Sequence, residues 1–121
     1  MVYTKQEKDE IERVRKVFAE HIQQSPNYDL LWSDKVGYVW LSIEVGPLHV
    51  DTGMWIESAA DFCEILLDDV ADDVFEMTGN DHTLEDADPL ELAEIKRRWK
   101  VYIEQLPEYA YLCEKLLNRS K

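Results

Sequence analysis

Cysteine is scarce in this chain. Cys63 and Cys113 are the only two in 121 residues, and each sits inside an apolar helical pattern, where a free thiol behaves as a small hydrophobe. No disulfide framework and no Cys-rich metal or redox spacing can be drawn from them. Glycine and proline number four each, so there is no low-complexity linker and no boundary for a second domain. No apolar run is long enough to cross a bilayer. Met1-Val2-Tyr3-Thr4-Lys5 leads straight into a charged helix without the pattern of a signal peptide. A reducing cytoplasm is the expectation for such a chain. Three histidines without cysteine spacing are a weak metal signal, and no Ser-His-Asp or Cys-His grouping can be assembled.

The most informative absence is of positive charge. From Asp61 to Glu94 the chain carries thirteen Asp or Glu and no Lys or Arg. Residues 1–27 are neutral, residues 28–60 carry −4 and residues 95–121 carry +4, so this segment equals the molecule's net charge of −13. A sustained one-sign surface opposes compact folding. Yet 45% of the residues are hydrophobic, which excludes a disordered acidic tail.

The patterning predicts an α+β fold in a single domain, 1–121. A small antiparallel three-stranded meander within 28–57 is inserted between an N-terminal helix, 4–24, and two or three C-terminal helices at about 58–78, 89–105 and 107–119. Thr4 with Glu7 reads as a capping box, and Ile11, Val14, Phe18 and Ile22 form the first buried stripe. Val39, Leu41, Ile43 and Val45 alternate with Tyr38 and Trp40, a second face that needs a cover. Ser33-Asp34-Lys35 and Gly46-Pro47 read as turns, and Gly53 as a bulge or bend. The four tryptophans are expected in the core, with Tyr38, Trp40 and Trp55 as the alternative of an exposed aromatic interface. Ser58 with Asp61 caps the next helix, and Gly79-Asn80 ends it. Asp88-Pro89-Leu90-Glu91 opens another, with Leu92, Ile95, Trp99, Tyr102 and Leu106 as its stripe. Pro107 starts the last, whose stripe is Tyr109, Leu112, Cys113 and Leu116.

On the helix 58–78 the pattern divides sharply. Phe62, Leu66, Val70 and Met77 share one side, flanked by Cys63, Leu67 and Val74. Asp61, Glu64, Asp68 and Asp72 line the opposite side, while Asp69, Asp73 and Glu76 border the apolar stripe. Four like-charge (i, i+4) pairs result: Glu64/Asp68, Asp68/Asp72, Asp69/Asp73 and Asp72/Glu76. Together they cost about 1–2 kcal/mol at low salt. The border acids are candidates for internal pairing with the basic cluster Lys96, Arg97 and Lys100. The partner-binding candidates are Asp61, Glu64, Asp68, Asp72 and Glu76. No metal or other cofactor is expected, and neither direct nucleic-acid contact nor a membrane; a dimer is left open.

Short carboxylate motifs suggest metal chemistry. Asp68-Asp69-Val70-Ala71-Asp72 resembles the aspartate-rich motif of isoprenoid synthases, but those are larger helical enzymes with a second metal motif that this chain lacks. Glu91-x-x-Glu94 with Asp61-x-x-Glu64 resembles the paired motifs of all-helical nucleotide pyrophosphatases, which have no central meander. His49-x-Asp51 places two side chains on one strand face. Asp81, His82, Asp86 and Asp88 form an acidic loop without the central glycine of an EF-hand.

As a class, the chain resembles the small acidic DNA-mimic inhibitors of phages and mobile elements, of the anti-restriction and anti-CRISPR kind. The resemblance rests on small size and on Asp61–Glu94, about a quarter of the chain. It implies inhibition by occupancy, with carboxylates along a helix standing in for phosphates in the groove of a basic nucleic-acid-binding protein. The alternatives are a structural or regulatory protein with a merely solvated acidic face, and a small Mg²⁺-dependent nucleotide hydrolase using Glu64, Glu91 and Glu94.

Overall fold

Thr4 starts the first helix as the sequence predicts. Its hydroxyl accepts the Glu7 amide at 3.1 Å, and the Glu7 carboxylate accepts the Thr4 amide at 2.8 Å. This closed pair satisfies two of the donors that a helix start leaves open. In this computed structural model the described residues are 3–25, 28–33, 37–42 and 52–111. They form α1 (Lys5–Val17), α2 (Ala19–Gln24), β1 (Tyr28–Ser33), β2 (Gly37–Ser42), β3 (Thr52–Trp55), α3 (Ala59–Thr78), α4 (Pro89–Ile103) and a 3₁₀ turn, Pro107–Tyr109. The fold is α+β. The chain divides into two compact units, Met1–Phe62 and Cys63–Lys121.

In the first unit, the expected single helix 4–24 is two. The break falls at Phe18, whose ψ of 10° leaves the helical region and whose ring is fully buried. Hydrogen bonds from Phe18 N to Val14 O and from Ile22 N to Phe18 O carry the ladder past it. Ile11, Val14 and Phe18 are buried, as their spacing requires, whereas Ile22, the fourth residue of the expected stripe, lies beyond the break and is only half-buried.

The meander has order β1-β2-β3, both pairs antiparallel. Gly53 sits opposite Leu41 in unbroken register. The expected bulge is therefore absent: no extra residue enters either strand. The conformationally demanding glycine is Gly37, at φ +93°, where a side chain would meet the Tyr3 ring at 2.9 Å. Of the expected turn Ser33-Asp34-Lys35, Ser33 is the last residue of β1, paired with Gly37; Asp34-Lys35, the turn at Gly46-Pro47, and Ile43, Val45, His49 and Asp51 lie outside the described residues.

The two faces of the sheet differ, and the one that the sequence says needs a cover is covered at Tyr38 and Trp40, which are buried. The Tyr38 hydroxyl donates to Glu12 Oε1 of α1 at 2.6 Å, and the Trp40 ring lies 6.3 Å from that of Phe62. On the other face Leu31, Val39 and Trp55 form one cross-strand row, with Leu31 46% and Trp55 45% exposed. The covering elements follow the large aromatics because each removes more apolar area from water than a valine does. Of the four tryptophans, Trp40 and Trp99 are core, while Trp32 and Trp55 are partly exposed.

α3 starts in the first unit and runs into the second. Ser58 Oγ accepts the Asp61 amide at 3.1 Å, and the Asp61 carboxylate accepts the Glu57 amide at 3.0 Å. Gly79, at φ +74°, ends the helix. Gly79 N bonds to Glu76 O and Asn80 N to Phe75 O, the paired bonds of a Schellman motif. In the second unit α4 opens as expected, with Asp88 as cap, Pro89 at the first position and Glu91 as reciprocal partner. Leu92, Ile95, Trp99 and Leu106 are buried and Tyr102 half-buried. α4 ends at Ile103, and the chain turns over 104–105 into the 3₁₀ turn that Pro107 opens. The described part of the last predicted helix is short; Leu112, Cys113 and Leu116 lie outside it.

Candidate functional site

At 100° per residue, the buried positions of α3 sweep about 240° of its circumference. They include Phe62, Leu66, Val70 and Val74 of the predicted stripe, and also Ala71 and Phe75, which the stripe omitted. Met77 departs from expectation: it is 62% exposed, and Arg98 Nη2 lies against its sulfur at 3.3 Å. It stands in the last turn, where the helix outruns its core contacts. The broad apolar arc leaves one narrow exposed strip, made of Glu64, Asp68, Asp72 and Glu76.

The acids of α3 thus fall into distinct environments. Asp61 is half-buried, and its carboxylate is committed to the helix cap. It belongs to the start of the helix rather than to the open strip. Asp69 is only 5% exposed and Asp73 is intermediate; both, like Glu76, take part in interactions within the protein. Glu64, Asp68 and Asp72 face solvent, and among the described residues no cation pairs with them.

The electrostatics follow. Asp68 is raised above the ordinary carboxyl value, first by desolvation and then by Glu64. Asp72 has an exposed outer surface yet stands in a crowded stretch of helix. Desolvation pushes it up to about 6, with Asp69, Asp68, Asp73 and Glu76 adding to the rise. Every charge acting on these two residues is negative.

The basic cluster is engaged on its own helix. Arg97 donates from Nε and Nη2 to the two Glu94 oxygens, and Arg98 Nε reaches Glu94 Oε1 at 3.1 Å. Lys100 Nζ lies 3.8 Å from Glu104. Lys96 is exposed. These are local (i, i+3) and (i, i+4) pairs, of little weight for stability.

The second polar centre is one that the capping signature only partly foretold. Glu91 is 2% exposed and accepts four hydrogen bonds. Thr78 Oγ1 at 2.7 Å and Asn80 Nδ2 at 3.1 Å reach Oε2. His82 Nδ1 at 2.5 Å and the Asp88 amide at 3.2 Å reach Oε1. All four lone-pair sites of the carboxylate are filled. Burial would raise its pKa, but the bonds from His82, Thr78, Asn80 and the Asp88 amide outweigh it and hold it at about 2. His82 is in turn raised, chiefly by its bond to Glu91, and its ring meets Phe75 edge-on. Asp86 accepts the Thr83 amide and hydroxyl, which accounts for another acid of the loop.

His82, Asp88 and Glu91 bring ligand atoms within 4.8 Å of one another. Glu91, however, is saturated by protein donors, and Glu94 is held by two arginines. Of the carboxylates on which the hydrolase alternative relies, Glu91 is therefore occupied in joining the end of α3, the connecting loop and the start of α4, and Glu94 in pairs within α4, while Glu64 stands exposed on α3. No family model, no curated protein and no solved structure matches the chain.

Proposed function

We propose that this chain is a protein-binding module that presents Glu64, Asp68, Asp72 and Glu76 to a basic surface of the kind that holds nucleic acid. One observation carries the reading: Asp68 and Asp72 stand exposed on a helix capped at both ends, and every charge acting on them is negative. Their ionised forms lack electrostatic compensation, so a partner that supplied lysines or arginines would relieve both desolvation and repulsion. The strip also needs no rearrangement to bind, because α3 is buried on its other sides and held at its ends.

The geometry fits an elongated basic groove. Residues 64, 68, 72 and 76 rise about 6 Å apart, spanning about 18 Å. One DNA strand carries a phosphate about every 3.4 Å along the axis. The strip has roughly half that line density, enough for a short phosphate-reading site and too little to replace a long duplex. Inhibition by occupancy of a nuclease groove is the form of this function that the charge and size favour. Association driven this way is fast and salt-sensitive.

The test uses the tagged chain as bait at about 0.05 M and about 0.5 M NaCl, beside the double variant Asp68→Lys/Asp72→Lys. Support requires that the wild type retain basic nucleic-acid-binding proteins at low salt, inhibit at least one of them, and lose both properties in the variant. Equal capture and inhibition by the variant would sink the proposal.

A further inference from the structure

The first unit holds a cavity that the acidic strip does not use. It has a volume of about 360 Å³, near the lower end of the roughly 300–1,000 Å³ typical of small-molecule sites. Glu12 and Arg15 of α1, Ile22 of α2, Asp29, Leu30 and Trp32 of β1, and Tyr38 of β2 are among the residues that line it, with Asp29 Oδ1 accepting the Leu30 amide at 2.9 Å. Its apolar lining comes from Ile22, Leu30 and the two aromatic rings. Its polar lining includes a hydrogen-bonded chain of fixed order. Tyr38 donates to Glu12 Oε1 at 2.6 Å, and Arg15 Nε donates to Glu12 Oε2 at 2.6 Å.

The ionisation of this polar chain follows from its surroundings. Desolvation, helped by the bond to Glu12, raises the Tyr38 hydroxyl well above its usual range, so it remains a donor. Burial would raise Glu12, but the bonds from Tyr38 and Arg15 hold it below the ordinary carboxyl value. Glu12 is therefore a carboxylate that anchors the guanidinium by its Nε edge. The remaining edge of Arg15, Nη1 and Nη2, has no partner among the described residues. An arginine oriented from behind in this way presents its other donors with less entropy left to lose.

The indole face already has a cation over it. Lys8 Nζ lies over the Trp32 ring, 4.4 Å from its centroid, and the rings of Tyr38 and Tyr3 lie 4.3 Å and 6.3 Å from it. A second cation at the indole would meet Lys8 as well as Arg15. The complement to an open guanidinium edge beside an aliphatic and aromatic wall is a carboxylate carried on an apolar body.

We propose that this cavity binds a small apolar carboxylate, with its carboxyl group on the Arg15 Nη edge and its body against Ile22, Leu30 and Trp32. The same chemistry is offered by a free carboxylic acid and by the C-terminus of a peptide ending in an apolar residue, and the test has an arm for each. Octanoate is titrated beside octanol, and a short peptide ending in a free Leu carboxylate beside its amidated form, up to about 10 mM, with amide chemical shifts as the readout. The expected result is saturable shifts in α1, α2 and β1 for at least one of the two carboxylates, with its neutral counterpart at least tenfold weaker. Octanoate alone identifies a free acid, and the peptide alone a chain terminus. Arg15 is half exposed, so Arg15→Gln keeps the fold; it should weaken the carboxylate at least tenfold and leave its neutral counterpart unchanged. Ile22→Trp, which takes up space at the apolar lining, should abolish both. No saturation by either carboxylate, equal binding of the charged and neutral members of both pairs, or an unchanged affinity in Arg15→Gln would each overturn the assignment.

Discussion

Asp72→Asn isolates the cost of the acidic strip. In the helix, Asp72 has Asp68 four residues before it, Glu76 four residues after it and Asp69 three residues before it. Like-charge pairs at these spacings each destabilise by roughly 0.2–0.5 kcal/mol, a range measured on exposed helices and so already reduced by solvent screening. Removing three of them should stabilise the protein by about 1 kcal/mol, or about 4 °C in Tm for a chain of this size. The pH dependence has a definite sign. Asp72 is raised from 3.8 to about 6 in the folded protein, so its ionised form is the penalised one. That penalty is complete above about pH 6 and fades as the pH falls from 6 towards 4, where the folded protein takes up the proton first. The Asn variant should therefore melt above wild type at pH 7.5 in low salt. Its advantage should shrink at pH 4.5, and also in about 1 M NaCl, where the screening length falls to about 3 Å. Calorimetric melts at the three conditions decide it. A variant no more stable than wild type at pH 7.5, or one whose advantage ignores both pH and salt, would refute the claim that the neighbouring carboxylates repel Asp72.

The other predictions concern the buried polar groups. Glu91→Gln replaces one of two acceptor oxygens by a donor that faces His82 and the Asp88 amide or Thr78 and Asn80. Amide exchange should quicken across residues 79–88, and the His82 titration should fall back towards its ordinary 6.5; an unmoved His82 midpoint would count against the hub. In the wild type the depressed Glu91 contributes stability above about pH 4.5 that is lost as the pH falls towards 2. The Thr78, Asn80 and His82 resonances should therefore hold their shifts down to about pH 3. Tyr38→Phe removes a hydrogen bond to a charged acceptor and should destabilise by about 1.5 kcal/mol, the low end for such bonds, because Arg15 still pairs with Glu12. In the wild type the phenol absorbance of Tyr38 should not titrate with that of the exposed tyrosines; a Tyr38 that ionises near pH 10 would contradict its burial against a carboxylate.

The sequence was most legible where a local rule decides the outcome. Thr4/Glu7, Ser58/Asp61, Asp88/Pro89/Glu91 and Gly79-Asn80 each fulfil a capping pattern within a few residues, and each stands where it was read. The antiparallel meander, and the need to cover the face of Tyr38 and Trp40, were legible from period-two alternation, but the groups that cover it were not. That Glu12 and Phe62 would meet Tyr38 and Trp40 depends on contacts between elements, which alternation does not display. Long-range polar partners were invisible for the same reason. Glu91 announced itself as a reciprocal cap. Nothing local signalled that Thr78, Asn80 and His82 would converge on it, although a loop rich in side-chain donors before a capping box is a usable hint. Likewise Glu12 and Arg15 are an ordinary (i, i+3) pair until Tyr38, 26 residues away, closes the chain of bonds. The acidic strip was legible almost residue by residue, since helical periodicity fixes which side chains share a face. Asp61 was the exception: it was read both as part of the Ser58 cap and as part of the strip, and the cap holds it.

An acidic strip that only kept the protein in solution could be built more cheaply. Glu has a better helix propensity than Asp, and Lys interspersed with Glu would convert each repulsive (i, i+4) pair into an attractive one. α3 instead combines the poorer helix former with the unfavourable sign pattern, at the two places, Asp68 and Asp72, where desolvation makes ionisation hardest. Stability and solubility alone therefore predict that Lys at these positions is an improvement with no loss. A surface kept for a basic partner predicts the same gain in stability together with the loss of binding. The two explanations agree on the melt and part on the pull-down, so the pair of measurements on the same Asp68→Lys/Asp72→Lys protein separates them, and a variant that is stabilised but still captures its partner would leave solvation as the sufficient account of the charge.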